Sequence, residues 1–184
     1  MSLPRIIAAI MAASAVIVVA ALALLLLGPS LESGDGAVAG NAGDSKALIE
    51  RGEYLAIAGN CASCHTAPGG EFMAGGLAFD TPFGTVYSTN ITPDTQTGIG
   101  GWTDWDFLNS LRHGVRANGE HLYPVFPYNA FSKMSNEDVA ALYAYFNSIP
   151  AVDRSNANND MAFPFNVRLL MGFWKRLFFE PGAY

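Results

Sequence analysis

Hydrophobic and polar positions divide the chain into stretches of sharply different texture. From Ile6 to Leu27 the sequence is unbroken by charge, and Ser14 is its only polar side chain. At about 1.5 Å per residue a helix of that length crosses a hydrocarbon core of about 30 Å. Arg5 precedes the run, and Glu32 and Asp35 follow it. Positive charge on the short side places residues 1–5 in the cytoplasm and the rest of the chain outside. A cleaved signal peptide would carry an apolar region of only about 7–15 residues. The best small-x-small site, Ala37-Val38-Ala39, lies far beyond the apolar end, so residues 6–27 are expected to be a retained transmembrane anchor. Residues 28–45 are rich in Gly, Ala and Ser with no hydrophobic period, and read as a flexible linker.

Between 46 and 150 the pattern turns to helical spacing. Ser45 can cap a helix reaching about Gly59, with Leu48, Ile49, Leu55 and Ile57 as its apolar surface and Gly52 leaving room for another helix to cross closely. Thr103 caps a second helix to about His113. Asp104 and Asp106 lie in its first turn, Phe107, Leu108 and Leu111 on its apolar face, and Gly114 at its end. Ser135 opens a third, with Val139, Leu142, Tyr143 and Phe146 at i, i+3, i+4 and i+7 and Pro150 as its stop. Pro68–Gly101 shows no sustained alternation and reads mostly as loop, with a short hairpin near Thr85–Asn90. The fold class is therefore mainly α, with three or more helices.

Residues 151–184 begin as a polar, Asn-rich connector to Asp160. They then become aromatic and basic: Phe163, Phe165, Phe173, Trp174, Phe178 and Phe179 mix with Arg168, Lys175 and Arg176. Such a helix suits either a membrane interface or packing on the domain or a partner.

Charge narrows the partners. The chain carries net −6. Over 46–150, ten acidic residues stand against five basic ones, whereas the tail is slightly positive. An acidic domain argues against nucleic acid and would steer a positively charged redox partner. No acid/base pair, nucleophile triad or phosphate loop is evident, so catalysis by this chain alone is not expected.

The only cysteines lie in Cys61-Ala62-Ser63-Cys64-His65. C-x-x-C-H is the attachment signature of c-type haem. The two thiols are spaced to form thioethers with the two vinyl groups of one haem, and the adjacent histidine supplies the proximal ligand through Nε2. Its Nδ1–H should donate to a backbone carbonyl; a loop containing Pro82 is one candidate source. A C-x-x-C oxidoreductase would need a βαβ context, which does not follow. A structural zinc site would need both thiolates and two histidines, and His113 and His121 lack zinc-finger spacing. One covalent haem c is expected, with the domain loose or unfolded without it.

The sixth iron position separates electron transfer from ligand binding. Met73, Met134, His113 and His121 are the candidates. Met134 precedes the last helix of the domain, beside an apolar wall of Pro124, Pro127, Tyr128 and Phe131, and a thioether there would raise the reduction potential. His121 is the main competitor, while Met73, close to His65 in sequence, is expected on the proximal side. His113 reads as a helix-end residue. Trp102 and Trp105 suit either the haem edge, including a bond to a propionate, or the core, and Trp102 is the one taken as a cofactor-binding candidate.

Arg51-Gly-Glu-Tyr-Leu through Cys61–His65, Thr81-Pro-Phe-Gly-Thr-Val-Tyr-Ser-Thr-Asn-Ile-Thr-Pro93, Gly98-Ile-Gly-Gly-Trp102, Leu122-Tyr-Pro-Val-Phe-Pro-Tyr128 and Lys133-Met134 together resemble the haem domains of cytochrome c subunits of bacterial membrane-bound dehydrogenases acting on alcohols, gluconate, sorbitol and aldehydes. The resemblance implies a class I cytochrome c fold with His/Met ligation, and the methionine of the family's pre-helix loop falls on Met134. Some relatives carry a methionine where this chain has Phe126. Those subunits hold three haem domains in a row, and this sequence is expected to correspond to the first. The leading expectation is a membrane-anchored monohaem cytochrome in a periplasmic respiratory chain. It would sit on the bacterial inner membrane and pass electrons from a dehydrogenase to a quinone or terminal oxidase. The alternatives are a haem sensor or small-ligand enzyme with a labile sixth ligand, and a structural subunit anchoring a dehydrogenase.

Overall fold

The computed structural model describes residues 2–26, 31–34, 38 and 45–182. The first helix, α1 (Leu3–Leu26), begins slightly before the charge-free run, and its side chains stand exposed over Leu3–Ala23. It could span a membrane, and it contacts the helix at Leu169–Phe178.

The domain that follows is built on two helices that cross. α2 (Ser45–Ala58) leads directly into a short α3 (Cys61–His65), and α6 (Asn136–Ser148) lies across α2. The expected close crossing is at Gly52. A β-carbon there would stand 2.6 Å from the Ala141 carbonyl carbon and 2.7 Å from Tyr145 Cβ, and closer still to the Ala141 oxygen. Only hydrogen lets the backbones approach this far. Asn60 turns α2 into α3 through a left-handed conformation, φ 55°, which Asn tolerates better than most residues.

α4 (Asp104–His113) has the reciprocal capping box in full. The Thr103 side chain accepts from the Asp106 N–H at 3.1 Å, and the Asp106 carboxylate accepts from the Thr103 N–H at 2.9 Å. Gly114 closes the helix at φ 59°. α5 (Tyr128–Phe131) is a single turn before α6, which Ser135 caps by accepting from the Asp138 N–H at 3.2 Å. Phe107, Leu108 and Leu111 from α4 meet Val139, Leu142 and Phe146 from α6 in one buried core. Burial of each large side chain is worth about 1.5–3 kcal/mol.

The hairpin lies earlier in the chain than its predicted place. β1 (Ala78–Thr81) pairs antiparallel with β2 (Gly84–Tyr87), Ala78 opposite Tyr87 and Thr81 opposite Gly84, with Pro82 and Phe83 in the turn. Only the first half of the predicted segment is strand. Beyond it the chain is held by isolated backbone bonds, Ser88 N–H to the Leu77 carbonyl (2.9 Å) and Ile91 N–H to the Met73 carbonyl (3.0 Å), together with side-chain bonds.

The Asn-rich connector is more than a spacer. Its β3 (Asp160–Met161) adds to β2, placing Met161 opposite Gly84. Before that, Asn156 Oδ1 accepts from the Asn90 N–H at 2.7 Å, Asn159 Oδ1 from the Tyr87 N–H at 2.8 Å, and the Val152 carbonyl from Asn90 Nδ2 at 2.7 Å. Arg154 donates to the Gly75 carbonyl. These amides satisfy a loop backbone that no regular element pairs. The segment is a strap across the 87–97 loop.

The linker is also attached where it is described. Glu32 exchanges bonds with Asn109 (2.9 and 2.8 Å) and pairs with Arg112 at 2.7 Å and His113 at 3.2 Å. The Val38 N–H donates to Asp104 at 2.7 Å, and Val38 is buried. The reading of residues 28–45 as a free tether is corrected at these positions: docking on α4 supplies partners for a guanidinium that is itself almost wholly buried.

α7 (Leu169–Phe178) packs against the domain through Lys175, whose Nζ donates to the carbonyls of His113 (2.8 Å) and Gly114 at the end of α4 and lies 4.6 Å from the Tyr128 ring centroid. Packing, one of the two readings of the tail, therefore holds on this side. The other side leaves Leu169, Leu170, Phe173, Leu177 and Phe178 exposed.

Candidate functional site

The α3 turn presents Cys61, Cys64 and His65 to a cavity of about 440 Å³. Met134 and Trp102 line the same cavity, so all five residues singled out for cofactor binding converge there. Met134 arrives from the loop between α5 and α6, which is held by the Met134 N–H to Phe131 carbonyl bond (3.0 Å) and by Arg112 donating to the Met134 carbonyl (3.1 Å). Trp102 is half-buried, and its carbonyl accepts from the Tyr143 hydroxyl.

His65 is oriented by its backbone surroundings. Its Nδ1 lies 2.7 Å from the Thr89 carbonyl oxygen, so Nδ1 carries the proton and the Nε2 lone pair is left for a metal. Burial lowers the pKa of the imidazole, partly offset by the Thr89 bond, and this keeps the ring in the neutral form that ligates. The carbonyl comes from Thr89 and not from the Pro82 loop, which forms the hairpin turn. Gly75 supports the arrangement: its N–H donates to the His65 carbonyl at 2.7 Å, and at φ 71° its missing β-carbon leaves room for the Thr89 carbonyl.

Burial pushes the Cys61 thiol up to about 11. A dithiol oxidoreductase needs a lowered thiol pKa, so this environment opposes that chemistry. No disulfide joins Cys61 and Cys64. Among the described residues no group of three or more His, Cys, Asp and Glu forms a metal cluster. A donor set of one neutral imidazole, one thioether and two thiols in a cavity with mostly apolar walls fits a covalently bound iron porphyrin.

The remaining candidates do not line this cavity. Met73 is 2 % exposed and packed in the core, at φ 59°. His113 ends α4 and faces Glu32. His121 lies 3.3 Å from Lys175, and burial together with that positive charge takes its pKa down to about 4. Trp105 packs toward Gly34 of the linker. Phe126 does line the cavity.

The sequence model of the cytochrome c family matches residues 49–150. The chain belongs to the cytochrome c family. Membership implies covalent haem c and electron transfer. This cytochrome is 51 % identical over 140 residues to a nicotinate dehydrogenase subunit of Pseudomonas putida, covering 76 % of this chain and 12 % of that protein. It is 46 % identical over 144 residues to the gluconate 2-dehydrogenase cytochrome c subunit of Pantoea cypripedii, covering 74 % and 33 %. It is 45 % identical over 133 residues to the cytochrome c subunit of a quinone-dependent alcohol dehydrogenase of Gluconacetobacter polyoxogenes, covering 72 % and 28 %. The chain thus spans a third or less of these relatives' own length.

Sequence reasoning missed several residues of the cytochrome's cavity. Thr89 acts through its backbone, which no residue type signals. Arg116, Asn156, Asn159 and Arg168 also line the cavity. Asn156 and Asn159 come from the segment read as a connector and Arg168 from the tail read as membrane-facing or packed, and their polar type alone did not distinguish them from solvated residues.

Proposed function

We propose that this chain is a membrane-anchored, monohaem c-type cytochrome that carries electrons from a dehydrogenase to a quinone or terminal oxidase. Cys61 and Cys64 attach the haem, and His65 and Met134 ligate its iron. The observation that carries the reading is the convergence of both thiols, the neutral His65 imidazole and the Met134 thioether on one cavity, with His65 pinned at 2.7 Å by Thr89. The haem supplies a one-electron couple. The chain's own residues hold the imidazole tautomer, offer a soft sulfur that favours the ferrous state, and keep water out with an apolar wall. The length and apolar composition of α1, ahead of the haem domain, support a site on the periplasmic side of a bacterial inner membrane. The exposed apolar side of α7 is consistent with life at that surface.

Carbon monoxide binding to the reduced full chain at neutral pH tests the ligand set. Slow, incomplete binding is expected of the unmodified protein. Rapid binding and a lower reduction potential are expected of Met134→Ala. Rapid, complete binding by the unmodified protein would instead favour the small-ligand reading. If Met134→Ala passed electrons to quinone or oxidase undiminished, the chain would be a structural anchor. Subunits that co-purify from detergent-solubilised membranes identify the dehydrogenase.

A further inference from the structure

A porphyrin tied to Cys61 and Cys64 brings two propionate carboxylates with it. In a cavity walled mostly by apolar side chains each carboxylate needs hydrogen-bond donors, and a cation serves best because an unpaired buried charge is costly. Among the described residues lining the cavity there is no Asp or Glu, and the arginine and lysine side chains are two, Arg116 and Arg168. Guanidinium groups pair with carboxylates through short, charge-assisted and often bidentate bonds.

Arg168 is held in place yet has donors to spare. Its Nη1 donates to the His121 carbonyl at 2.7 Å and its guanidinium carbon lies 4.2 Å from the Tyr123 ring centroid. A guanidinium has five N–H donors in a rigid fork, so others remain for a ligand. Arg116 has a loose partner in Glu120, at 3.4 Å with the two side chains 30 % and 45 % exposed, a weak tie in solvent.

The position of Arg168 in the chain is the unexpected part. It lies beyond residues 49–150, the span that matches the cytochrome c family. Three attachments bring it back: β3 on β2, Asn159 on the Tyr87 N–H, and the Tyr123 hydroxyl donating to the Phe165 carbonyl at 2.8 Å. We infer that the segment after the cytochrome c unit completes the haem pocket, with Arg168 from that segment and Arg116 from the unit neutralising the two propionates. The inference rests on the haem reading above.

The test is the reduction potential of the haem-loaded full chain in detergent, with the carboxylate bands of the redox infrared difference spectrum recorded alongside. Removing a cation beside the haem disfavours the ferrous state. Arg168→Gln and Arg116→Gln are each expected to lower the potential and shift a propionate band, and Arg168→Lys is expected to keep the potential close to that of the unmodified protein. An unmoved potential and unmoved bands in Arg168→Gln, with haem bound, would overturn the inference and reduce Arg168 to a strut for the tail. If Arg168→Gln does not take up haem, Arg168→Lys decides: a native-like potential and native-like bands support the inference, and a shifted potential with unchanged bands, or failure to take up haem, overturns it. Absence of covalent haem in the unmodified protein would instead be a failure of the underlying functional reading, visible before any variant is made.

Discussion

Replacing Gly52 by alanine puts a methyl group where α2 and α6 touch. Its β-carbon would stand 2.6 Å from the Ala141 carbonyl carbon and 2.7 Å from Tyr145 Cβ, whereas carbon atoms pack at about 3.5–4.0 Å. Relief therefore requires the helices to part by roughly 1 Å, and the nearest obstacle is backbone that cannot rotate away. Overpacking of this kind costs about 1–3 kcal/mol, occasionally more. Against it stands the gain of about 1 kcal/mol from putting alanine in place of glycine inside a helix. Because the clash is with backbone, the cost should lie at the upper end, about 3 kcal/mol, and the net loss should be about 2 kcal/mol. For a folded unit spanning 45–182 it lowers Tm by roughly 3–5 °C per kcal/mol. Thermal unfolding of the haem-loaded full chain, followed by far-ultraviolet circular dichroism, measures it. Gly101→Ala is the control, because its β-carbon would meet only the Thr95 oxygen, at an ordinary 3.6 Å. A Gly52→Ala protein that melted at or above the unmodified temperature would refute the reasoning, since helix propensity would then outweigh the crossing.

Two further perturbations probe the segments that flank the domain. Glu32→Gln should destabilise the linker's dock by about 1–2 kcal/mol, at the low end for a charged hydrogen bond because the Glu32 side chain is 35 % exposed, and urea unfolding measures it. Burial alone would raise the Glu32 pKa, but bonds from Arg112 and His113 bring it below its usual 4.5. The contribution should thus be present above pH 4.5, fade as pH falls through the folded value, and be missing at every pH in the variant. Lys175, whose pKa is taken down to about 7 from 10.5 by burial and then by the charge of Arg168, sheds a proton on docking that the undocked tail keeps. Protection of α7 from limited proteolysis should therefore rise with pH between about 7 and 10.5, and Lys175→Met should flatten that rise. Protection that falls with pH would show that the α4 carbonyls hold Lys175 charged.

Local signals carried much of this protein. The N-caps Thr103 and Ser135, the C-cap Gly114 and the spacing of Phe107, Leu108, Leu111, Val139, Leu142 and Phe146 placed α4 and α6 to within a residue or two, because capping and amphipathic periodicity act over a few positions in the chain. Gly52 announced a close crossing, and C-x-x-C-H announced haem, since both chemistries are written in adjacent residues. Tertiary structure alone decided which carbonyl meets His65, that Glu32 and Val38 pin the linker to α4, and that Asn156, Asn159 and Arg168 return to the cavity. Each of these is a bond between groups far apart in sequence, made through a backbone carbonyl or a polar side chain whose type is equally at home in solvent. Only the folded path of the chain distinguishes a polar residue facing water from one that closes a site.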